Sequence, residues 1–343
     1  MGAGRGSFDV PGRHAMKPRR QFLHLAAGAA ALAAVSRVTW AQTYPSRPIT
    51  MVVPFPAGGG TDIIARALAE RMRVSLGRSI VIENVGGGNG SIGAGRVARA
   101  APDGTTIILG TMGSFVMNGA LYSLPYNLVD DFEPVTLVTV QPYVVVARKT
   151  MPGDDLKGLI TWLRANPGKA SAGTQGAGGS SQIGGIFFQN ATSTRFQFVP
   201  YRGGAPAIQD LVAGQIDLMI AAAGDASAQV RAGTIKAYAV MANRRLAVLP
   251  GVPTVDEAGL NGAYYSGWFG IWMPARTPKD IVAKLNAAVR DALGDPGVAA
   301  RLAEIGQQVF PLGEQTPEAL AALQKTEINK WWPMIKAASF KAE

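Results

Sequence analysis

The sequence predicts an α/β protein of two lobes, the second inserted into a discontinuous first, and three observations carry that expectation. Strand, glycine loop and helix alternate three times between Ile49 and Asn118, a long extended run follows from Pro134 to Lys149, and a second alternating series then ends in another extended run. Repeated strand-to-helix units imply largely parallel strands, and two crossings between lobes form the hinge of a clamshell.

The first unit is ITMVVPF, then AGGG, then DIIARALAERMRVSL, whose apolar residues recur at helical spacing. The second is SIVIENV, GGGNG and SIGAGRVARA, and the third is the strand TTIILG ending in TMGS before a helix or turn near Asn118. The run PVTLVTVQPYVVVARK is too long for one ordinary strand and contains Pro142, so it reads as the passage between lobes. Beyond it come helix DLKGLITWLRANP, strand KASAGT, loop QGAGGSS, helix QIGGIFFQN, strand FQFVPY, loop RGG, helix APAIQDLVAG and strand QIDLMIA. TIKAYAVMA carries the chain back, followed by LPGVPTVDEAG, the aromatic run YYSGWFGIWMP and three helical stretches beginning near Pro278, Pro296 and Pro317. These boundaries assign residues 42–141 and 240–343 to lobe 1 and 142–239 to lobe 2. Tyr264, Tyr265, Trp268, Phe269 and Trp272 are expected to pack in the core, as are Trp331 and Trp332.

Residues 1–41 read as an export signal: Lys17, Pro18, Arg19 and Arg20 lead into FLHLAAGAAALAAV and a small-residue exit at Ala41. Its apolar stretch is shorter than the roughly 20 residues a spanning helix needs. Arg19-Arg20-Gln21-Phe22-Leu23 resembles the twin-arginine pattern, with Pro18 where that pattern has Ser or Thr. Met16 is the expected true start, so the protein is expected in the periplasm, as a monomer.

The whole chain carries 33 Lys and Arg against 23 Asp and Glu, but residues 1–41 hold six of the bases and one acid, leaving a net +5. No basic face with interleaved aromatics remains, which argues against nucleic acid as a partner. The chain has no Cys, and both His residues, His14 and His24, fall in the leader. Without imidazole or thiol there is no Ser-His-Asp triad, no Cys nucleophile and no zinc site of the usual kind, so neither catalysis nor a metal is expected.

Ligands of open α/β sheets collect beyond the carboxyl ends of the strands, where four glycine loops fall: Ala57–Asp62, Gly86–Ser91, Gly173–Ser181 and Tyr201–Gly204. Each places glycine backbone and the free N–H groups of a helix start together, which suits a carboxylate or phosphate; each glycine could equally serve only the turn. Thr61 and Asp62 read as helix N-cap candidates, and Tyr201 and Arg202 as groups able to reach a ligand. Gly88, Gly90 and Gly93 spell the dinucleotide-binding pattern, yet no acid follows about 20 residues later to hold a ribose, so no cofactor is expected and a nucleotide-dependent enzyme is the weaker alternative. A soluble sensor would share the same pocket.

The motifs YPSRPITMVVPFPAGGGTDIIAR, VIENVGGGNGSIGAGRVARAAPDGTTIILGT, LPYNLVDDFEPVTLV, VPYRGGAPAIQDLVAGQIDLM, and LPGVPTVDEAGL with GWFGIWMPARTP resemble the Bug family, receptors of tripartite tricarboxylate transporters. The resemblance covers essentially the whole chain after the leader. It implies a type II periplasmic binding (Venus flytrap) fold that holds a small carboxylate between its lobes and delivers it to membrane transporter subunits. Carried over by position, ligand contacts would come from Phe55, Ala57, Gly58, Gly59, Thr61, Asp62 and Ser114 in lobe 1, and from Thr174, Ser180, Ser181, Tyr201 and Gly203 in lobe 2. The family usually has His at Gln182, Glu near Ile186 and Asp-Asn at Ala221-Ala222. Those departures imply a less polar second lobe and a ligand with a less charged or more apolar far end.

Overall fold

The computed structural model describes residues 1–4, 6, 44–176 and 178–337, so nearly all of the expected export signal lies outside the described residues. Residues from Tyr44 onward form one compact unit. Among the described residues no helix is long and apolar enough to cross a membrane.

Strands β1 (Ile49–Val53), β2 (Ile80–Asn84) and β3 (Thr106–Thr111) lie parallel in the order β2-β1-β3. They are joined by helices α1 (Gly60–Leu76) and α2 (Ser91–Ala98), as the periodicity predicts. A π-helical turn, Gly113–Met117, and the short α3 (Asn118–Leu121) follow β3. The chain then enters β4 (Phe132–Arg148), a single 17-residue strand.

Continuity through Pro142 departs from expectation, and the pairing explains it. The first part of β4 pairs antiparallel with β9 (Ser266–Pro274), whose first residue, Ser266, lies opposite Pro142. From Tyr143 onward β4 pairs instead with β7 (Leu218–Ala222) and β8 (Ile235–Val240). Proline cannot donate to a ladder, and here it falls where one ladder ends and the next begins.

The second half of the sheet contains β5 (Ser171–Thr174), β6 (Gln197–Pro200) and β7, parallel in the order β7-β5-β6. Helices α4 (Leu156–Ala165), α5 (Ser180–Thr192) and α6 (Gly204–Ala213) fall where the sequence places them. Helix α7 (Ala223–Arg231) does not: its small residues carry no apolar stripe of the kind that predicts a helix. Helices α8 (Lys279–Gly294), α9 (Pro296–Glu304) and α10 (Pro317–Ala337) begin at the expected prolines, and the two-residue β10 (Gln308–Val309) pairs with β4. Asp295 caps α9, accepting from the N–H groups of Gly297 and Val298.

Alternation along the strands fixes which residues meet which layer. Ile49, Met51 and Val53 of β1, Ile107 and Leu109 of β3, and Phe269, Ile271 and Met273 of β9 all pack with α1 and α8. Val52, Ile108, Trp268 and Trp272 face the opposite side, toward α10. Both faces of these strands are therefore covered, which accounts for near-continuous apolar runs. Tyr265, Trp268, Phe269, Trp272 and Trp331 are buried as predicted, whereas Tyr264 is exposed and donates to Asp256 Oδ2 at 2.5 Å. Buried Gln324 anchors α10: its amide donates to the carbonyls of Phe115 and Leu128 and accepts from Trp272 Nε1.

Phe115 stacks on Trp272 with ring centroids 3.8 Å apart, and this pair leaves no room above Gly110 on β3. A Cβ there would overlap the Phe115 ring and stand 2.8 Å from Trp272. Gly110→Ala is therefore expected to destabilise the protein by about 1–3 kcal/mol through overpacking, read as a lower midpoint in denaturant at an unchanged slope.

Candidate functional site

Parallel strands within each half place their carboxyl ends, and so their following loops, on one edge. The loop after β1 is the most tightly specified. Asp62 is 2% exposed and lies in the first turn of α1, where it accepts from Gly58 N–H at 2.9 Å, Arg66 Nε at 2.8 Å and Asn84 Nδ2 at 3.0 Å. Asn84, at the end of β2, also donates to the Phe55 carbonyl at 3.1 Å. Neither Thr61 nor Asp62 is the N-cap; Gly59 holds that position, and Asp62 reaches back from inside the helix.

The Asp62 carboxylate is thus fully occupied as a brace, and it orients Gly58, whose φ of +81° needs a glycine. Ala57, Gly58, Gly59 and Gly60 remain exposed above it. Among the described residues, the N–H groups of Gly59, Gly60 and Thr61 donate to no protein acceptor, as expected for a helix start. Phe55 is half-buried behind them and packs its ring edge toward Gly90.

The loop after β2 is pinned by Asn118, which is fully buried and exchanges hydrogen bonds with the Asn89 side chain and backbone. Gly90 and Gly93 of the dinucleotide-like pattern serve packing: a Cβ on either would crowd Pro54, at 3.2 Å and 2.9 Å. Ser114 also proves structural. It is fully buried, and its hydroxyl is engaged by Thr111, accepting from the Thr111 N–H at 2.9 Å.

In the second half, buried Ser181 accepts from Gln175 N–H at 2.8 Å, and Gln182 Oε1 accepts from Gly178 N–H at 2.9 Å. Thr174, also buried, donates to the Gly176 carbonyl at 3.2 Å. The Tyr201 hydroxyl donates to Asp210 Oδ2 at 2.7 Å, and burial together with that bond pushes its pKa up to about 12, so it stays neutral. Arg202 is exposed and forms no ion pair among the described residues. Gly203 caps α6 at φ +133° with open space where a side chain would stand.

Of the twelve residues that the resemblance points to, Asp62, Ser114, Thr174, Ser181 and Tyr201 spend their polar side-chain groups on bracing the loops and the helices and strands beside them. Thr61 does not, its hydroxyl being bonded to no protein group among the described residues, while the Ser180 hydroxyl interacts with the buried phenols of Tyr143 and Tyr265. The two halves approach at Gly113, where the site of a missing Cβ lies 3.3 Å from Asn89 Nδ2, 3.4 Å from Thr111 Oγ1 and 3.5 Å from Ser180 Oγ. Tyr265 bridges the same junction by donating to the Ser180 carbonyl.

Ala221 and Ala222 are buried within β7, opposite Val144 and Tyr143, so they line no loop. The first polar side chain beyond β7 is Asp225, on the unforeseen α7, and it accepts from Gln175 Nε2 at 2.5 Å. An acid in the first turn after a parallel strand is the sequence signal that would have found it. Two hollows lie elsewhere: one of about 250 Å³ among Tyr122, Tyr126 and Trp332, the other of about 580 Å³ along α4 near Pro152 and Trp162. Neither is lined by the glycine loops.

Residues 64–340 match the family described as tripartite tricarboxylate transporter family receptor. A UPF0065 protein of Agrobacterium vitis is 38% identical over 296 residues, 86% of each chain. Protein BugT of Bordetella pertussis is 32% identical over 313 residues, 91% of this chain and 95% of BugT. Among solved structures, the periplasmic binding protein BugD superposes with a TM-score of 0.77 at 40% identity, covering 88% of this chain and all of BugD. MatC from Rhodopseudomonas palustris with bound malate gives 0.77 at 38% identity, covering 85% of this chain and all of MatC. A second R. palustris protein, with adipate, gives 0.78 at 32% identity, covering 87% of this chain and 99% of that one.

Burial alone would raise the pKa of Asp62, but the bonds from Arg66, Gly58 and Asn84 outweigh it and hold the carboxyl below its usual value. A depressed folded-state pKa gives stability that is fully present above the unfolded value of about 3.9 and is lost as pH falls through the folded value. Asp62→Asn is expected to cost about 1–3 kcal/mol at pH 7. That deficit should shrink as pH drops below about 4, measured by urea unfolding of both proteins across pH 2.5–7.

Proposed function

The chain belongs to the tripartite tricarboxylate transporter receptor family, and from that premise we propose that it captures a small carboxylate on main-chain N–H groups at the β-strand ends. Its fold is that of periplasmic binding proteins, and it is a receptor, not an enzyme.

The observation that carries the proposal is the convergence at Gly113, where a Cβ on that glycine would lie within 3.5 Å of Asn89 in the loop after β2, Thr111 at the end of β3 and Ser180 at the start of α5. A carboxylate suits this edge because it accepts several hydrogen bonds at once, and helix starts offer both N–H donors and a favourable dipole. Bound malate in MatC and adipate in its R. palustris counterpart support the ligand class. The ligand contacts of this chain are the N–H groups of Gly59, Gly60 and Thr61 with the Thr61 hydroxyl, and opposite them the Ser180 hydroxyl and the backbone at Gly203. The bracing residues Asp62, Ser114, Thr174, Ser181 and Tyr201 keep those donors aimed.

Residues 42–141 and 240–343 then act as one lobe and 142–239 as the other, hinged where β4 changes partners and where the chain returns to β9. Closing the hinge on the acid creates a surface shared by both lobes, which the membrane subunits of the transporter read. The protein works as a periplasmic monomer, exported through its N-terminal leader by the general secretory or the twin-arginine route.

A ligand that binds only the folded state raises its stability by mass action, about 2.7 kcal/mol at a hundredfold excess over Kd. Thermal melts of the purified protein against a panel of carboxylic acids are expected to reveal at least one that raises the midpoint by several degrees. Thr61→Val should weaken that acid about tenfold while leaving the unliganded midpoint unchanged. A panel in which no acid shifts the midpoint would overturn the carboxylate reading.

A further inference from the structure

Three parallel strands of the second half end side by side, and one carboxylate stands among the loops that follow them. Asp225 lies in the first turn of α7, just beyond β7. Its Oδ2 accepts from Gln175 Nε2, which belongs to the loop after β5. The same oxygen crowds Gly204, the first residue of α6 after β6, where any Cβ would collide with it. Its neighbour Gly224 packs against the backbone of Ile305 and Gly306, in the segment joining α9 to β10, so Asp225 stands where the two halves of the molecule meet.

No base among the described residues neutralises this carboxylate. Among the described residues its Oδ1 has no hydrogen-bond partner and no Lys or Arg pairs with it. The side chain is open to solvent, yet the protein around it desolvates it enough to raise its pKa, an effect the Gln175 bond opposes. Its charge also reaches the phenol of Tyr143, whose ring lies 5.0 Å from that of Tyr265, the residue bridging the halves at Ser180.

An acid anchored by one carboxylate on the α1 amides extends its other end toward the second half. A second carboxylate there would meet the like charge of Asp225, which no Lys or Arg among the described residues offsets. A hydroxyl, amide or ammonium group would instead donate to the open Oδ1, making a charge-assisted bond.

We propose that Asp225, positioned by Gln175, is a specificity residue: the protein takes acids whose far end carries a hydrogen-bond donor and discriminates against acids ending in a second carboxylate. This rests on the carboxylate reading given under Proposed function, and it narrows the expected ligand with a less charged far end to one that ends in a hydrogen-bond donor.

Calorimetry on the purified full chain at pH 7.5 tests it with succinate, succinamate, 4-hydroxybutyrate and 4-aminobutyrate, and with the matching six-carbon set beginning with adipate. At least one donor-ended acid is expected to bind about tenfold or more tightly than the dicarboxylate of its length. Asp225→Asn should shrink that ratio at least fivefold, chiefly by tightening the dicarboxylate. Asp225→Ser, which keeps neither charge nor shape, should do the same, with a thermal midpoint close to the parent's. Equal binding of all four ends, or a preference unchanged in both variants, overturns the role of Asp225 and leaves the carboxylate reading standing. If no acid of either length binds any of the three proteins, that reading falls and the inference falls with it.

Discussion

One strand holds both halves of this molecule to a common frame. Over its 17 residues β4 exchanges a ladder with β9 for ladders with β7 and β8, and Pro142 sits at the exchange. Because each half of the sheet keeps its own parallel strands, each gathers its loops at a single edge, and β4 determines where those edges stand relative to one another. Most of the strand is buried, so its register is fixed by packing on both faces.

Within that frame the site is built from backbone, and the side chains around it mostly hold backbone in place. Asp62 shows the division of labour. Its carboxylate touches the edge of the site but is consumed by Gly58, Arg66 and Asn84, while the amides it supports point outward. Ser114 and Ser181 do the same for the turns after β3 and β5. Donors of this kind recognise an acid group without recording what carries it, so under the proposal discrimination falls to the few side chains left unspent, among which Asp225 and Arg202 are charged.

Much of this was legible in the sequence because the relevant signals are local. Apolar periodicity gave α1, α4 and α6, proline marked the starts of α8, α9 and α10, and glycine marked the strand ends. Two features were not legible, for different reasons. Proline argues against a continuous strand, and only the change of pairing partner at Ser266 makes Pro142 harmless. Helix α7 has almost no large apolar residues, being held by short contacts to β4, β7 and β8, so its pattern resembles a loop. Asp225, the first polar side chain after β7, lies on that same helix, while Ala221 and Ala222 before it are buried in the strand. Side-chain roles were the least legible part: hydroxyls and acids at the right positions in sequence turned out to divide into braces and free groups only once their partners were visible.

The most direct measurement is amide hydrogen exchange, residue by residue, with and without a saturating acid that raises the melting midpoint. Slowed exchange at Gly59, Gly60 and Thr61, with matching protection at Ser180, Ser181, Gly203 and Gly204, is the predicted result. Protection confined instead to the hollow beside Trp332 or to the α4 surface near Trp162, with the glycine loops exchanging as before, would contradict a site made of main-chain donors.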